Sequence, residues 1–146
     1  MSNMLNTSHS VVIHAPVELV WAALTTPHMI KQWFMGVNTR TDWSVGSPIV
    51  HTGEYQGKPY EDRGKILRFE PNKVLAHTHW SVGSGRPDHP ENYQTVTYTL
   101  TPRGSSTELT IREENLPSEE GRATSEKTWA MVMGTLKDLL EKQPAH

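Results

Sequence analysis

Histidine and tyrosine are the residues through which this chain could do chemistry. It carries 8 His and 4 Tyr but no Cys, which removes thiolate nucleophiles, disulfides and cysteine-based metal sites together. His77 and His79 stand two apart in Val74-Leu75-Ala76-His77-Thr78-His79-Trp80, so on a strand both point to one face. Two imidazoles so placed could hold a metal ion if a third ligand converged, with His51 as a strand-borne donor. They could equally hydrogen-bond as ordinary partly buried or rim histidines, or touch a substrate. No metal site, cofactor or catalytic set is assigned from the sequence; His77 and His79 are the candidates for proton transfer. His28, in a helix first turn, and His89, in a Pro-rich stretch, read as surface residues.

The acids offer less. Glu61-Asp62-Arg63 and Glu113-Glu114 are adjacent on strands, so neighbours face opposite sides. A general acid–base pair would need a convergence that only the fold supplies. Gly53…Gly57-Lys58 is followed by Pro59 and lacks the spacing of a phosphate loop. Gly83-Ser84-Gly85 has no third glycine where a dinucleotide site needs one. Neither a Gly-x-Ser-x-Gly elbow nor a His-Glu-x-x-His helix occurs.

The aromatics are more informative. Val96, Tyr98 and Leu100 alternate with Thr95, Thr97 and Thr99, which assigns the first three inward. A buried Tyr98 hydroxyl wants a partner, and in a cavity a ligand could be that partner. The same holds for Trp80 and Trp129. Both faces of 74–80 carry apolar residues; Trp80 is assigned inward.

The elements that must position these residues follow from periodicity. His9–His14 reads as a short strand. Pro16 opens a helix with Val17, Val20, Trp21 and Leu24 on one face. Thr26-Pro27 opens a second, with Ile30, Trp33 and Phe34 inward. From Val37 to Arg112 the period is two, predicting strands near 37–43, 48–56, 60–70, 73–81, 92–101 and 106–114, mostly in hairpins. The irregular stretch Val82–Glu91 is expected to be a flexible rim. Ser118 caps a last helix that Gly121 interrupts, with the persistent part beginning near Ser125. Its stripe is Trp129, Val132, Met133, Leu136, Leu139 and Leu140, and Gln143-Pro144 is its expected stop.

These elements imply an α+β layer in which a curved antiparallel sheet wraps one long helix, leaving an apolar pocket between them. The apolar fraction is 35%, with 5 Trp and 6 Met, and such bulk suits a pocket wall. The length is that of one domain, 1–146, with an ordered core of about 8–142. Balanced charge, net -2, argues against a nucleic-acid surface. No apolar run reaches a membrane span, and Met1–Ser10 lacks the pattern of a signal peptide. The default expectation is cytoplasmic, with no membrane insertion.

Several strings, in order, carry a resemblance. They are Ala15-Pro16, Val20-Trp21-Ala22-Ala23-Leu24, Pro27, Trp33-Phe34, Gly64–Pro71 before a strand ending in Trp80, Glu108–Ile111, and finally Trp129 and Leu136. Nearly the whole chain is similar to the START-like (SRPBCC, helix-grip) superfamily, in the branch resembling the C-terminal domain of the activator of the large heat-shock chaperone ATPase. That resemblance implies a helix-grip (START-like, Bet v 1-like) fold: seven antiparallel strands gripping the C-terminal helix around a hydrophobic cavity. It implies a small apolar or aromatic ligand as partner; whether the chain forms a homodimer or meets a chaperone stays open at this point.

The expected function is therefore binding of a small hydrophobic or aromatic molecule, and the protein is not expected to be an enzyme. The expected lining is Trp33 and Phe34 from the second helix, Trp80, Val96, Tyr98 and Leu100 from the sheet, and Trp129, Val132, Met133 and Leu136 from the last helix. One alternative is a cyclase- or hydrolase-like enzyme in the same cavity, with His77 or His79 moving a proton and Tyr98 orienting substrate. Another is a stress-related, chaperone-associated interaction protein, which needs an apolar surface patch outside the pocket.

Overall fold

A computed structural model describes residues 5–142. The order is β1 (Leu5–Ile13), α1 (Val17–Thr25), α2 (Pro27–Trp33), β2 (Asn38–Thr41), β3 (Pro48–Tyr55), β4 (Lys58–Glu70), β5 (Val74–Ser81), β6 (Gln94–Arg103), β7 (Ser106–Leu116) and α3 (Glu119–Glu141). All seven strands form one antiparallel sheet in the order β1-β7-β6-β5-β4-β3-β2. Among the described residues, β1 and β2 are the edge strands of this layer. No described helix is long and apolar enough to cross a membrane.

The two short helices form as their prolines require. Pro16 caps α1 from an extended backbone, and its carbonyl accepts from Leu19 and Val20. Pro27 opens α2, where its missing N–H costs nothing. Trp33 locks the pair by donating its indole N–H to the Ala23 carbonyl at 2.8 Å.

The long hairpins set the width of the sheet. Gln56 and Gly57 both have positive φ, 53° and 80°, the requirement of a two-residue turn matched to strand twist. β4 therefore starts at Lys58 and includes Pro59. That proline is tolerated because β5 pairs with β4 only from Asp62 onward. Further along, a bulge between Ile66 and Arg68 bends β4. Near it the two backbones approach so closely that a Cβ on Gly64 would sit 1.7 Å from the Thr78 carbonyl oxygen.

Three expectations change. α3 runs unbroken from Glu119: Ser118 accepts from the Gly121 amide at 3.0 Å, and Gly121 fits inside the first turn. β1 begins at Leu5, ahead of the expected His9, because it pairs with β7 as far as Leu116. The Val82–Glu91 stretch, expected to be a flexible rim, is tied down together with Asn92 and Tyr93, which precede β6. Two short 3₁₀ turns shape it, Asn92 donates to the Pro87 carbonyl, and Asn115 donates to the carbonyls of Glu91 and Tyr93. The stop expected at Gln143-Pro144 lies outside the described residues.

The core is a single apolar cluster between the sheet's concave face and the helices. Trp129, Val132, Met133, Leu136 and Leu140 of α3 are buried in it, while Leu139 is partly buried. Val96, Tyr98 and Leu100 meet them from β6, as the alternation predicts.

Candidate functional site

Register decides which side chains share the concave face. Leu75 lies opposite Tyr98, His77 opposite Val96 and His79 opposite Gln94, and directly paired residues point the same way. Tyr98 faces α3, its ring 5.9 Å from that of Trp129. His77 and His79 therefore point inward. Trp80, on the alternate side of β5, does not. Its indole instead stacks on Tyr93 at 6.3 Å, lies under the Arg63 guanidinium and donates to the Arg86 carbonyl at 3.1 Å. The inward assignment of Trp80 is thus corrected: the register of β5 against β6 gives the concave face to the histidines.

A row of polar side chains crosses this face. On β7 the buried Glu113 accepts from the Trp129 indole at 3.0 Å and from the Ser125 hydroxyl, which pins α3 to the sheet. Tyr98 comes next, stacked on His77 at 6.1 Å. His77 is buried, and its Nδ1 lies 2.9 Å from the Thr78 carbonyl oxygen, to which it donates when protonated there. His51 of β3 lies 5.8 Å from His77 and 6.3 Å from His79, ring to ring. Finally, His79 Nε2 is 3.1 Å from Asp62 Oδ2.

Burial sets the protonation of this row. It lowers His51 to about 3, with the neighbouring His77 and His79 adding to the effect. His77 falls to about 4, mainly by burial, against a raising contribution from the Thr78 carbonyl. Burial also pushes the Tyr98 phenol up, and the Glu113 carboxylate reinforces that. For Asp62, burial would raise the carboxyl, but the His79 hydrogen bond and charge, with Ser81, outweigh it and hold it below the usual range. Near neutral pH His51 and His77 are thus neutral imidazoles. Three histidines meet, as the metal reading required, but among the described residues no three His, Cys, Asp or Glu side chains are grouped to hold a metal ion.

A cavity of about 460 Å³ opens beside one end of this row. It lies between the ends of β5 and β6, the 82–93 segment and the first turns of α3. Ser81 and Gln94 link it to the histidine row, since Ser81 follows His79 on the same face and Gln94 is paired with His79. Of the ten residues expected to line a cavity, Trp80 borders this one, because β5 ends one residue later. The other nine belong to the packed interior, eight of them buried and Phe34 partly buried against Trp129. The bulk on α3 packs into the core, and this cavity lies beyond it, at the end of the grip. Arg86, Glu120 and Thr124, which line it, carry no pattern in the sequence that singles them out.

The seven-stranded grip on a C-terminal helix matches known proteins. A family model described as Activator of Hsp90 ATPase homolog 1-like protein matches residues 14–141. The chain belongs to that family. Among solved structures of similar fold is the solution structure of ChR145 from Cytophaga hutchinsonii, 40% identical, covering 97% of both chains with a TM-score of 0.84. The Aha1 dimer from Colwellia psychrerythraea is 24% identical over 97% of this chain and 99% of that one, with a TM-score of 0.75. CalU16 from Micromonospora echinospora is 25% identical over 96% of this chain and 76% of that one, at 0.74. No curated protein sequence matches the chain. Membership in the Hsp90 ATPase activator homolog 1-like family accounts for the order of the elements.

Proposed function

We propose that the protein binds a small apolar or aromatic molecule at the end of the grip, between the sheet and α3. The observation that carries this reading is the 460 Å³ cavity walled by Trp80, Pro117 and the first turns of α3. That size suits a small organic ligand; Trp80 and Pro117 offer it apolar surface, and the hydroxyl, amide and charged side chains of the lining, Arg86 and Glu120 among them, offer polar contacts. The test is a thermal-shift and native mass-spectrometry screen against lipids, flavonoid-like aromatics and polyketides, followed by amide chemical-shift mapping. Support would be a binder that shifts Ser81, Gln94, Gly121 and Thr124. A broad screen without a binder, or shifts confined to another face, would overturn it.

A second reading rests on the paired His79 and Asp62, 3.1 Å apart, with Tyr98 and His77 on the same face. In it His79, oriented by Asp62, transfers a proton to or from a ligand reaching inward past Ser81 and Gln94. Its test is turnover of the ligand found in that screen. Loss of turnover in His79→Gln with retained binding supports it, and absence of any turnover by the wild type refutes it.

A further inference from the structure

Hydrogen bonds around the cavity determine which of its hydroxyls can donate to an occupant and which can only accept. Ser81 lines the cavity from the end of β5 and is half-buried, so its side chain is open to an occupant. Across the ladder it stands directly opposite Asp62. The Asp62 carboxyl is held below its usual range, so near neutral pH it is ionised and can only accept. Its Oδ2 lies 3.1 Å from His79 Nε2. Its Oδ1 is sealed from solvent and lacks a partner in hydrogen-bond geometry among the described residues. An occupant of the cavity cannot reach a sealed oxygen, but the Ser81 hydroxyl across the ladder can, and it already helps to hold the carboxyl down. A hydroxyl rotates to suit its neighbours, and a buried acceptor without a donor is costly. The Ser81 proton is therefore committed to Asp62, and its oxygen is left to the cavity as an acceptor. Two other hydroxyls of the lining have the reverse polarity. Ser84 Oγ accepts from the Arg86 amide at 3.2 Å and Ser118 Oγ from the Gly121 amide at 3.0 Å, so their protons stay free to donate.

We infer that the ligand of this cavity is uncharged and carries a hydrogen-bond donor, the O–H of a phenol or an alcohol, which it gives to Ser81. This rests on the ligand-binding reading above and specifies the polar chemistry of that ligand. The ligand O–H donates to Ser81, Ser81 donates to Asp62, and Asp62 is held in turn by His79; each bond in such a chain polarises the next. An anionic group fails at this point for two reasons. It has no proton to give, and the Asp62 carboxylate stands behind the hydroxyl it would meet. Arg86 and Glu120 bring one charge of each sign to the lining, which leaves no net charge for an ion to answer. A methyl or ether group in place of the donor covers the Ser81 oxygen without satisfying it. A carbonyl or ether oxygen elsewhere on the ligand suits the free protons of Ser84 and Ser118.

The experiment uses probes matched in shape: 1-naphthol with 1-methylnaphthalene, and p-cresol with p-xylene, with 1-naphthoate as the anion. Binding to the full chain is followed by NMR chemical-shift titration and calorimetry. The wild type should hold each phenol about three- to tenfold tighter than its methyl counterpart, the scale of one net hydrogen bond, and should hold 1-naphthoate more weakly than 1-naphthol. Ser81→Ala should bring 1-naphthol down to the affinity of 1-methylnaphthalene, whereas Ser81→Thr, which keeps the hydroxyl, should retain the preference. Asp62→Asn, whose amide can donate to Ser81 and release the hydroxyl proton, should narrow the preference with Ser81 still in place; this variant tests the idea even where Ser81→Ala fails to fold. Equal affinity for phenol and methyl counterpart in the wild type would overturn the donor inference and leave the ligand-binding reading standing, and tighter binding of 1-naphthoate than of 1-naphthol would overturn the uncharged ligand. A preference that survives Ser81→Ala would overturn the assignment to Ser81, and one undiminished in Asp62→Asn would overturn the role of Asp62 in setting its polarity. Failure of every probe to bind would overturn both readings together.

Discussion

Acidification should destabilise this protein well before its carboxylates protonate, because two neutral histidines are built into the sheet. His77 has a folded pKa of about 4 and His51 about 3, against 6.5 for an exposed imidazole. Both folded values are depressed below the unfolded one. The unfolded chain therefore binds protons that the native state refuses, and stability falls as pH falls. The loss begins near the unfolded pKa and ends only below the folded ones. Integrating between about pH 7.5 and about pH 5 gives about 2 kcal/mol for each histidine, ~4 kcal/mol together. Against a typical total of about 5–15 kcal/mol, that is a large fraction. Asp62 and Glu141, whose carboxyls lie below their usual range, also lose their contribution on acidification. They do so at lower pH, so the upper window isolates the histidines. Urea unfolding at several pH values is the assay. With a slope of about 2 kcal/mol/M, the midpoint should drop by about 2 M across the window. His77→Gln should remove about half of that pH dependence, whatever it does to stability at neutral pH. A wild-type midpoint that moves by less than about 0.5 M, or rises on acidification, would refute the reasoning from buried neutral imidazoles.

Three further outcomes follow from packing. Glu113→Ala strands the Trp129 indole and the Ser125 hydroxyl and should cost about 3 kcal/mol, or about 6–12 °C in Tm by calorimetry; Glu113→Gln should cost less, and a drop under about 2 °C for the alanine would contradict the pinning role. Gly64→Ala puts a methyl 1.7 Å from the Thr78 carbonyl oxygen, so β4 and β5 must separate, with a loss of at least about 3 kcal/mol by chemical denaturation. A Gly64→Ala protein with wild-type stability would mean that the strands do not approach so closely. Leu136→Ala, at a fully buried position of α3, should cost about 2–5 kcal/mol, while Met131→Ala, on a residue 53% exposed, should stay within about 0.5 kcal/mol; equal effects would mean that α3 presents a different face to the sheet.

Much of this fold was legible without coordinates because its signals are local. Pro16 and Pro27 mark helix starts through their fixed φ. Spacing of three and four residues from Trp129 to Leu140 defines one face of α3. Alternation places Val96, Tyr98 and Leu100 inward. Gly121 was misread as an interruption because helix propensity weighs against glycine, whereas the Ser118 cap and the packing of α3 on the sheet outweigh it. The site was less legible. Residues 74–80 are apolar on both faces, and only the pairing of His77 with Val96 and of His79 with Gln94 shows which side meets the helix.

By itself the sequence determined the kinds of element, their order and most of the core, since periodicity and turn chemistry act over a few residues. Tertiary structure alone decided what converges. It brought His51 from β3 to His77 and His79 on β5, set Glu113 under Trp129, and moved the open space from the helix stripe to the end of the grip beside Arg86. The physical reason is that convergence depends on strand register and on where α3 settles across the sheet. Both are summed over contacts between residues distant in the chain, and no local pattern encodes them.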